Sequence, residues 1–399
     1  MASHADQGHD IGTPGLPWAA DGVDDREAHQ ETISMRWRLW RNRQIASARF
    51  RSLMARLPLT RWIAQRKANQ LFQLTAGFVH SQILSACVRF GILEHLIDRT
   101  LSTAQLAAAC QLTHERMRLL LDQAGRLGLV VQPKPGLWML DDAGAVVAAD
   151  AGLRAMILHH DALYRDLTDP ESLWRSEKPD TELRRYWAYV RGDAPNTVTA
   201  EQAAPYSLLM RESQAMFADC ILASYDFGRH TALLDVGGGD GAFLMAVGRK
   251  HLNLDLALFD LPAVAVRAQV HLAETGLLTR SRIHSGDFAT DPLPSGSDCV
   301  TLLRILCDHD DARVANILSN LHRHLAPGTT IVVAEAMDGP SEGARLAATY
   351  FGVYFLAMGS GRCRSADEIK ELLAAAGFQK TQTIATTNPL LATLVTARR

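Results

Sequence analysis

Residues 226–399 predict an α/β domain with a doubly wound, Rossmann-like sheet, and three observations carry that prediction. In the stretch 231–244, mostly apolar residues read as a buried strand, and a glycine run leads from them into an apolar helical pattern. Short apolar runs then alternate with helical stretches as far as residue 334, which calls for a parallel sheet with crossover helices. Two extended runs split by Asn388-Pro389 close the chain, so the sheet should end in an antiparallel hairpin. Ahead of this domain the pattern is helical with one short hairpin, which predicts an all-α, winged-helix N-terminal region.

A chain of 399 residues has room for two or three domains. Its 47% hydrophobic content is enough for a full core, and its net charge of −2 gives no overall attraction to nucleic acid. The cysteines at 87, 110, 220, 299, 307 and 363 show no C-x-x-C spacing, so neither a zinc site nor a disulfide framework is expected. No metal is called for, and a reducing cytoplasm is the simplest compartment. No uninterrupted apolar run reaches about 18 residues, the length that argues for a transmembrane helix. A signal-peptide pattern is absent from the N-terminus.

Taken in order, residues 1–33 are rich in Gly, Asp, His and Pro and read as a disordered tail. Residues 34–70 form a basic helical arm. From Ser34 to Lys67 there are nine arginines and one lysine, no acidic residue, and the large apolar side chains of Trp37, Trp40, Phe50, Leu53, Leu57 and Trp62. That combination suits a helix lying on a membrane surface at 34–67, or a basic helix packed on its own domain or on a partner's acidic surface.

Residues 71–225 are assigned to a helical and winged-helix domain. The stretch 77–88 is apolar almost all round and should be buried, in a core or between subunits. Ser102 or Thr103 caps a helix running to Cys110, a second helix runs from Thr113 to Gly128, and 129–140 reads as the hairpin of a wing. Such a module can read DNA, and Arg116, Arg118 and Arg126 lie on its second helix. Glu115 and Asp122 share that helix and leave no dense basic face, so nucleic acid is not the expected partner. From 151 to 230 the pattern is mixed and helical, with a loop at 191–195. A bulky apolar face at 206–217 fits either a core or a pocket.

The chemistry concentrates in residues 226–399. Without Cβ atoms, Gly237, Gly239 and Gly241 let the backbone turn tightly and approach a ligand, and the next helix offers its free N–H groups there. Asp260 closes the following apolar run, where a doubly wound sheet places the carboxylate that holds a ribose. Gly237-x-Gly239-x-x-Ala242 fits the loose dinucleotide pattern of nicotinamide enzymes. The fuller string Asp235-x-Gly237-x-Gly239-x-Gly241 instead resembles the S-adenosylmethionine loop of class I methyltransferases, whose acidic residue belongs to the surroundings of the methionine moiety. A glycine turn that binds nothing is the third reading, and the position of Asp260 argues against it.

Further motifs resemble the S-adenosylmethionine-dependent small-molecule O-methyltransferases, which join a winged-helix dimerisation domain to a class I methyltransferase domain. The run 259–262, Phe-Asp-Leu-Pro, is a marked feature of that family, and Leu261 belongs to its cofactor pocket. The run 285–288 matches its stretch beside adenine, which implies that Asp287 accepts from the adenine amino group and that Phe288 packs on the ring. Arg304 stands where the family usually has Lys or Arg. The resemblance covers about 71–399. It implies S-adenosylmethionine as cofactor, a homodimer, and a hydrophobic small-molecule substrate covered by the helical domain.

The departures from the family are as informative. Its general-base His, which deprotonates phenols, is replaced here by Cys307, and His309 takes the place of a nearby Trp. One flanking carboxylate survives as Glu335, and the other falls on Cys363. Lost activity, a relocated base, or an acceptor unlike a phenol would each account for this. Residues 38–43, 58–61, 76–82 and 186–193 resemble the carotenoid O-methyltransferases of purple phototrophic bacteria, the hydroxyneurosporene or demethylspheroidene group. This implies methylation of a tertiary C-1 hydroxyl on an acyclic carotenoid, by in-line displacement at the sulfonium. His309 or Glu335 is then the expected proton acceptor, with Cys307 as an unusual third choice. Quinone, polyketide or tetrapyrrole acceptors share every cofactor motif, and a non-catalytic cofactor-binding dimer shares most of them. An acceptor of the carotenoid type would place a cytoplasmic enzyme at the photosynthetic membrane.

Overall fold

A computed structural model describes residues 33–190 and 213–399. The chain forms two units that meet between His80 and Ser81, inside the single helix Pro58–Arg89.

The described residues of the first unit, 33–80, are helical. Ile33–Ala46 and Ala48–Arg56 bury none of their residues. Ser47 separates them and caps the second, and Arg51 donates to the carbonyls of Ile45 (2.9 Å) and Ala46 (2.6 Å) at the end of the first. Arginines lie over tryptophans one turn away, Arg41 on Trp37 at 5.2 Å and Arg66 on Trp62 at 5.5 Å. Pro58–Arg89 is long and apolar enough to cross a membrane by length and composition. The search for an uninterrupted apolar run missed this because uncharged Gln, Thr and Ser residues are spread through the helix. Its last turn is core rather than span, since Cys87 and Val88 are buried with Ile92, Leu106 and Trp138. The expectation that all of 77–88 is buried holds only there: Phe78 is 68% and Val79 44% exposed in the single chain.

In the second unit, Ser102 and Gln105 form a capping box on the helix Thr103–Ala109, and Thr113 caps His114–Arg126. Strands β1 (Leu101–Ser102), β2 (Val130–Lys134) and β3 (Leu137–Leu140) make an antiparallel sheet in the order β1-β3-β2. Trp138 donates its indole N–H to Thr103 Oγ1 (3.0 Å) and so ties this wing to the first helix.

The main sheet has strands β4 (Ala232–Val236), β5 (Asp255–Asp260), β6 (Ser281–Ser285), β7 (Cys299–Leu303), β8 (Thr330–Glu335), β9 (Gln379–Ile384) and β10 (Thr393–Arg398). Their order is β6-β5-β4-β7-β8-β10-β9; the first five are parallel, and β10 pairs antiparallel with both β8 and β9. Every residue of β4, β7 and β8 is buried, as expected of parallel strands covered on both faces. The chain leaves β4 toward β5 on one side and later returns to β7 on the other. The crevice at this switch point, beyond the carboxyl ends of β4, β5 and β7, is where such sheets bind ligands.

Candidate active site

Each residue of the glycine turn has its own physical reason. Gly237 (φ +71°) donates to Phe259 O at 2.8 Å, and a Cβ there would meet Ile305 Cδ1 at 2.4 Å. A Cβ on Gly238 would lie 2.8 Å from Asp235 Oδ2. Gly241 (φ +86°) begins the helix Ala242–Lys250 from the left-handed region. Gly239 (φ +61°) differs from these, because nothing lies within 4 Å of where its Cβ would be. The other glycines are packed against protein, whereas Gly239 faces an open cradle.

Two carboxyl groups flank that cradle. Asp260 accepts from Gly239 N–H (2.8 Å) on Oδ2 and from Leu261 N–H (2.7 Å) on Oδ1, which locks the turn to the end of β5. Asp235 accepts from Thr301 Oγ1 (2.7 Å) on Oδ1, while its Oδ2 is buried with no hydrogen-bond partner. Burial pushes Asp235 up to about 7, against the opposing Thr301 hydrogen bond. It pushes Asp260 up to about 6, against the two backbone N–H groups. A cationic ligand in the cradle would relieve both groups.

Phe288 lies across the turn from Ile305, with its Cε1 3.5 Å from the Cβ position of Gly237. The His309 ring is tilted against it at 6.0 Å between centroids. Asp287 accepts from Ala289 N–H (2.9 Å) and stands 3.4 Å from Arg313 Nη2, an arginine the sequence reading did not single out. Arg304 adopts a left-handed backbone (φ +56°). Its guanidinium lies over the Phe217 ring at 5.2 Å, and Nη1 is 3.4 Å from Ser213 Oγ. These contacts reach the helix at 213–224.

Cys307 and Glu335 come together, while the His309 ring packs against Phe288. Cys307 N–H donates to Glu335 Oε2 (3.0 Å), and its carbonyl accepts from Arg362 N–H (2.9 Å). Cys363 completes the group, its thiol 3.3 Å from Ala336 O. Glu335 is fully buried, with Oε1 lacking a hydrogen-bond partner, and burial pushes it up to about 7. Burial first, then the Glu335 and Asp308 carboxylates, hold the Cys307 thiol well above its ordinary range, so it is neutral at pH 7. Arg364, wholly buried, fixes the segment that carries Cys307 and His309. It donates to Leu306 O (2.7 Å) and His309 O (2.8 Å) and pairs with Asp311 (2.6 Å).

Next to Cys307 lies an apolar cluster that includes Leu163, Leu183, Tyr354, Phe355 and Met358. It joins the helices Ala151–Asp166 and Glu342–Met358 through hydrogen bonds between His159 and Tyr354 and between His160 and Tyr350. No local motif in the sequence marked these four residues; a histidine pair facing tyrosines one turn apart was the signal available. The apolar face expected at 206–217 is described only from 213, where Phe217 is buried in the core, and the loop at 191–195 lies outside the described residues.

A model of the O-methyltransferase domain matches residues 167–379, more than half of the chain. A demethylspheroidene O-methyltransferase of Cereibacter sphaeroides is 43% identical over 90% of this chain and 94% of its own. The chain belongs to the O-methyltransferase family. A second relative, a demethylspheroidene O-methyltransferase of Rhodobacter capsulatus, is 38% identical over 88% of both chains. Among solved structures, the SAH-bound form of CalO1, a methyltransferase in calicheamicin biosynthesis, superposes with a TM-score of 0.70 at 25% identity. It covers 84% of this chain and 98% of its own. The methyltransferase therefore has the class I fold read from its sequence, and its cofactor is S-adenosylmethionine. The cradle fits that group: an open face at Gly239, a buried carboxyl oxygen at Asp235 without a donor, and the Asp260 carboxyl at the end of β5 beside the turn.

Proposed function

We propose that this methyltransferase methylates the tertiary C-1 hydroxyl of an acyclic carotenoid of the hydroxyneurosporene or demethylspheroidene type, in carotenoid biosynthesis. The observation that carries this reading is the 43% identity, over nearly the whole of both chains, to a demethylspheroidene O-methyltransferase. The site supports it independently. A phenol-directed base is missing, because Cys307 is a neutral thiol and Glu335 is buried behind it. A tertiary alcohol is too weak an acid to be ionised before reaction, so a neutral wall suits it.

In this reading Asp235, Gly237, Gly239, Gly241, Asp260 and Leu261 hold the cofactor, with Asp287 and Phe288 at the adenine end. S-adenosylmethionine supplies a methyl group made electrophilic by a positive sulfur. The chain aligns the acceptor oxygen with it and keeps water out. His309 belongs with Phe288 on the cofactor wall, and Arg304 braces the helix at 213–224 over the site. Residues 71–225 cover the substrate, and 226–399 hold the cofactor.

Purified protein incubated with S-adenosylmethionine and a 1-hydroxy acyclic carotenoid in detergent should give a product one methyl heavier by mass spectrometry. Absence of that product, with cofactor binding intact by calorimetry, refutes the acceptor. The arm at 34–67 would dock on anionic membrane, where such substrates reside: nine arginines, one lysine and three exposed tryptophans provide charge and interfacial anchors. Equal flotation with neutral and anionic vesicles would count against it. The exposed Leu71, Phe72, Leu74 and Phe78 fit a homodimer, which light scattering tests by mass.

A further inference from the structure

The acceptor side of the site holds a hydrogen-bonded chain whose direction can be deduced. Trp187 Nε1 lies 3.3 Å from the Tyr354 hydroxyl, and an indole N–H can only donate. The Tyr354 oxygen therefore accepts there and spends one lone pair. His159 Nε2 lies 2.9 Å away on the other side and is the one acceptor among the described residues for the tyrosyl proton. Tyr354 thus donates to Nε2, which assigns His159 the neutral Nδ1–H tautomer and leaves Tyr354 a second lone pair. Burial, with the neighbouring His160 adding to it, pushes His159 down to about 4, and burial pushes Tyr354 well up. Both are neutral at pH 7 and ready to pass a proton on.

The position of this chain is equally specific. Tyr354 is 7% exposed and shares one apolar cluster with Cys307, the residue standing where the family has its base. Asp308 and Arg304, next to that position, act electrostatically on the Tyr354 hydroxyl, as does Asp166 from the far side. The Tyr186 ring closes off His159 at 6.0 Å. The second pair, His160 and Tyr350, lies one turn away and makes a similar 2.8 Å hydrogen bond. Tyr350 is only packed against the cluster instead of buried within it.

We propose that Tyr354 and His159 are the proton outlet for methyl transfer, in place of the missing base histidine. This rests on the alcohol acceptor argued above. The acceptor oxygen forms its bond to the methyl carbon as the bond from that carbon to sulfur breaks, the sulfur keeping the pair. The hydroxyl, now an acidic oxonium, gives its proton to the free lone pair of Tyr354. The tyrosyl proton moves at the same time to His159 Nε2. The net change is one alcohol converted to an ether, one sulfonium to a neutral thioether and one imidazole to an imidazolium, which releases its proton to solvent after product leaves. Tyr354 is the catalytic residue, and His159 acts through it.

The test uses the full chain and the carotenoid-alcohol assay. Tyr354→Phe and His159→Gln should each lower kcat by about 100-fold, the usual scale of a lost acid–base group, with KM and cofactor affinity changed only a few-fold. The solvent deuterium isotope effect on kcat should change in both. Tyr350→Phe, which breaks the neighbouring pair, should keep wild-type turnover. Nitrogen-15 NMR of labelled histidines provides a readout independent of activity. Nε2 of His159 should carry the shift of an acceptor in the wild type and lose it in Tyr354→Phe. Turnover within a few-fold of wild type in both variants overturns the proposal, as does an Nε2–H tautomer at His159. A wild type that methylates no carotenoid alcohol sinks the substrate reading instead, and the NMR result still decides the chain.

Discussion

Replacing two glycines of the same turn by alanine should produce opposite kinds of damage. At Gly237 the added methyl enters the space of Ile305 Cδ1, 2.4 Å away, from a left-handed backbone. The backbone cost is about 1–2 kcal/mol. Displacing a side chain in a packed core adds about 1–3 kcal/mol. Gly237→Ala should therefore lose about 2–5 kcal/mol of apoprotein stability, a large share of the roughly 5–15 kcal/mol a domain has. At Gly239 the backbone is again left-handed, but no atom lies within 4 Å of the new methyl. Only the backbone cost of about 1–2 kcal/mol applies, so this variant should fold. Its methyl, however, projects into the cradle, and cofactor affinity should fall at least about ten-fold, or 1.4 kcal/mol. Urea unfolding of both apoproteins and calorimetry with S-adenosylmethionine give the two numbers for each. A Gly239→Ala protein that binds the cofactor like wild type would show that the open face is not the cofactor's, and the site assignment would fail with it.

Glu335→Gln should be active and more stable than wild type at alkaline pH. The carboxyl sits at about 7 in the folded chain against an ordinary 4.5, so the native state holds a proton that the unfolded chain releases between those values. Its contribution to stability is full below pH 4.5 and is lost as pH rises through 7, on the order of 3 kcal/mol in all. A glutamine keeps the acceptor for Cys307 N–H without that loss, so unfolding midpoints of variant and wild type should diverge as pH rises from 4.5 through 7 and keep a constant gap above that; curves parallel across 4.5 to 7 would refute the argument. Arg364→Met should cost about 2–4 kcal/mol by leaving the Leu306 and His309 carbonyls without their donor, while Asp311 keeps its pair with Arg362. It should also weaken cofactor binding through His309 and Phe288, and a variant melting with wild type would exclude Arg364 as the brace.

The glycine turn and the carboxyls beside it were legible because their chemistry is local in sequence. One strand, one turn and one helix N-terminus supply Asp235 through Gly241, and the next strand end supplies Asp260. Backbone sterics tie those positions to glycine and to a short acid. Thr301 and Arg313 were not legible, since they reach Asp235 and Asp287 from distant strands and helices. The acceptor half is assembled from helices 190 residues apart, so neither His159 nor Tyr354 carries a local signature. Arg364 could have been noticed: the sequence places Arg, Cys and Arg together at 362–364, and the reading attended to the cysteine. At Pro58–Arg89 scattered polar residues break the apolar run without breaking the helix, so run length and mean hydropathy describe the same helix differently.

The replacement of charge by thiol at Cys307 and Cys363 is consistent with the acceptor proposed. A phenol gains from a histidine base and two carboxylates because it can be ionised at a modest cost, and the phenolate is the better nucleophile. For a tertiary alcohol the same groups would be hydrated or would hydrogen-bond the hydroxyl as unreactive ground-state partners. They would also make a long polyene pay for desolvating them. Two neutral thiols over a buried Glu335, whose own charge is reduced by burial, lower the charge there and keep the volume. What the reaction still needs is somewhere for a proton to go once the oxygen has become acidic, and a weak base suffices for that. An imidazole pushed down to about 4, held one tyrosine away from the reacting oxygen, is a base of that strength.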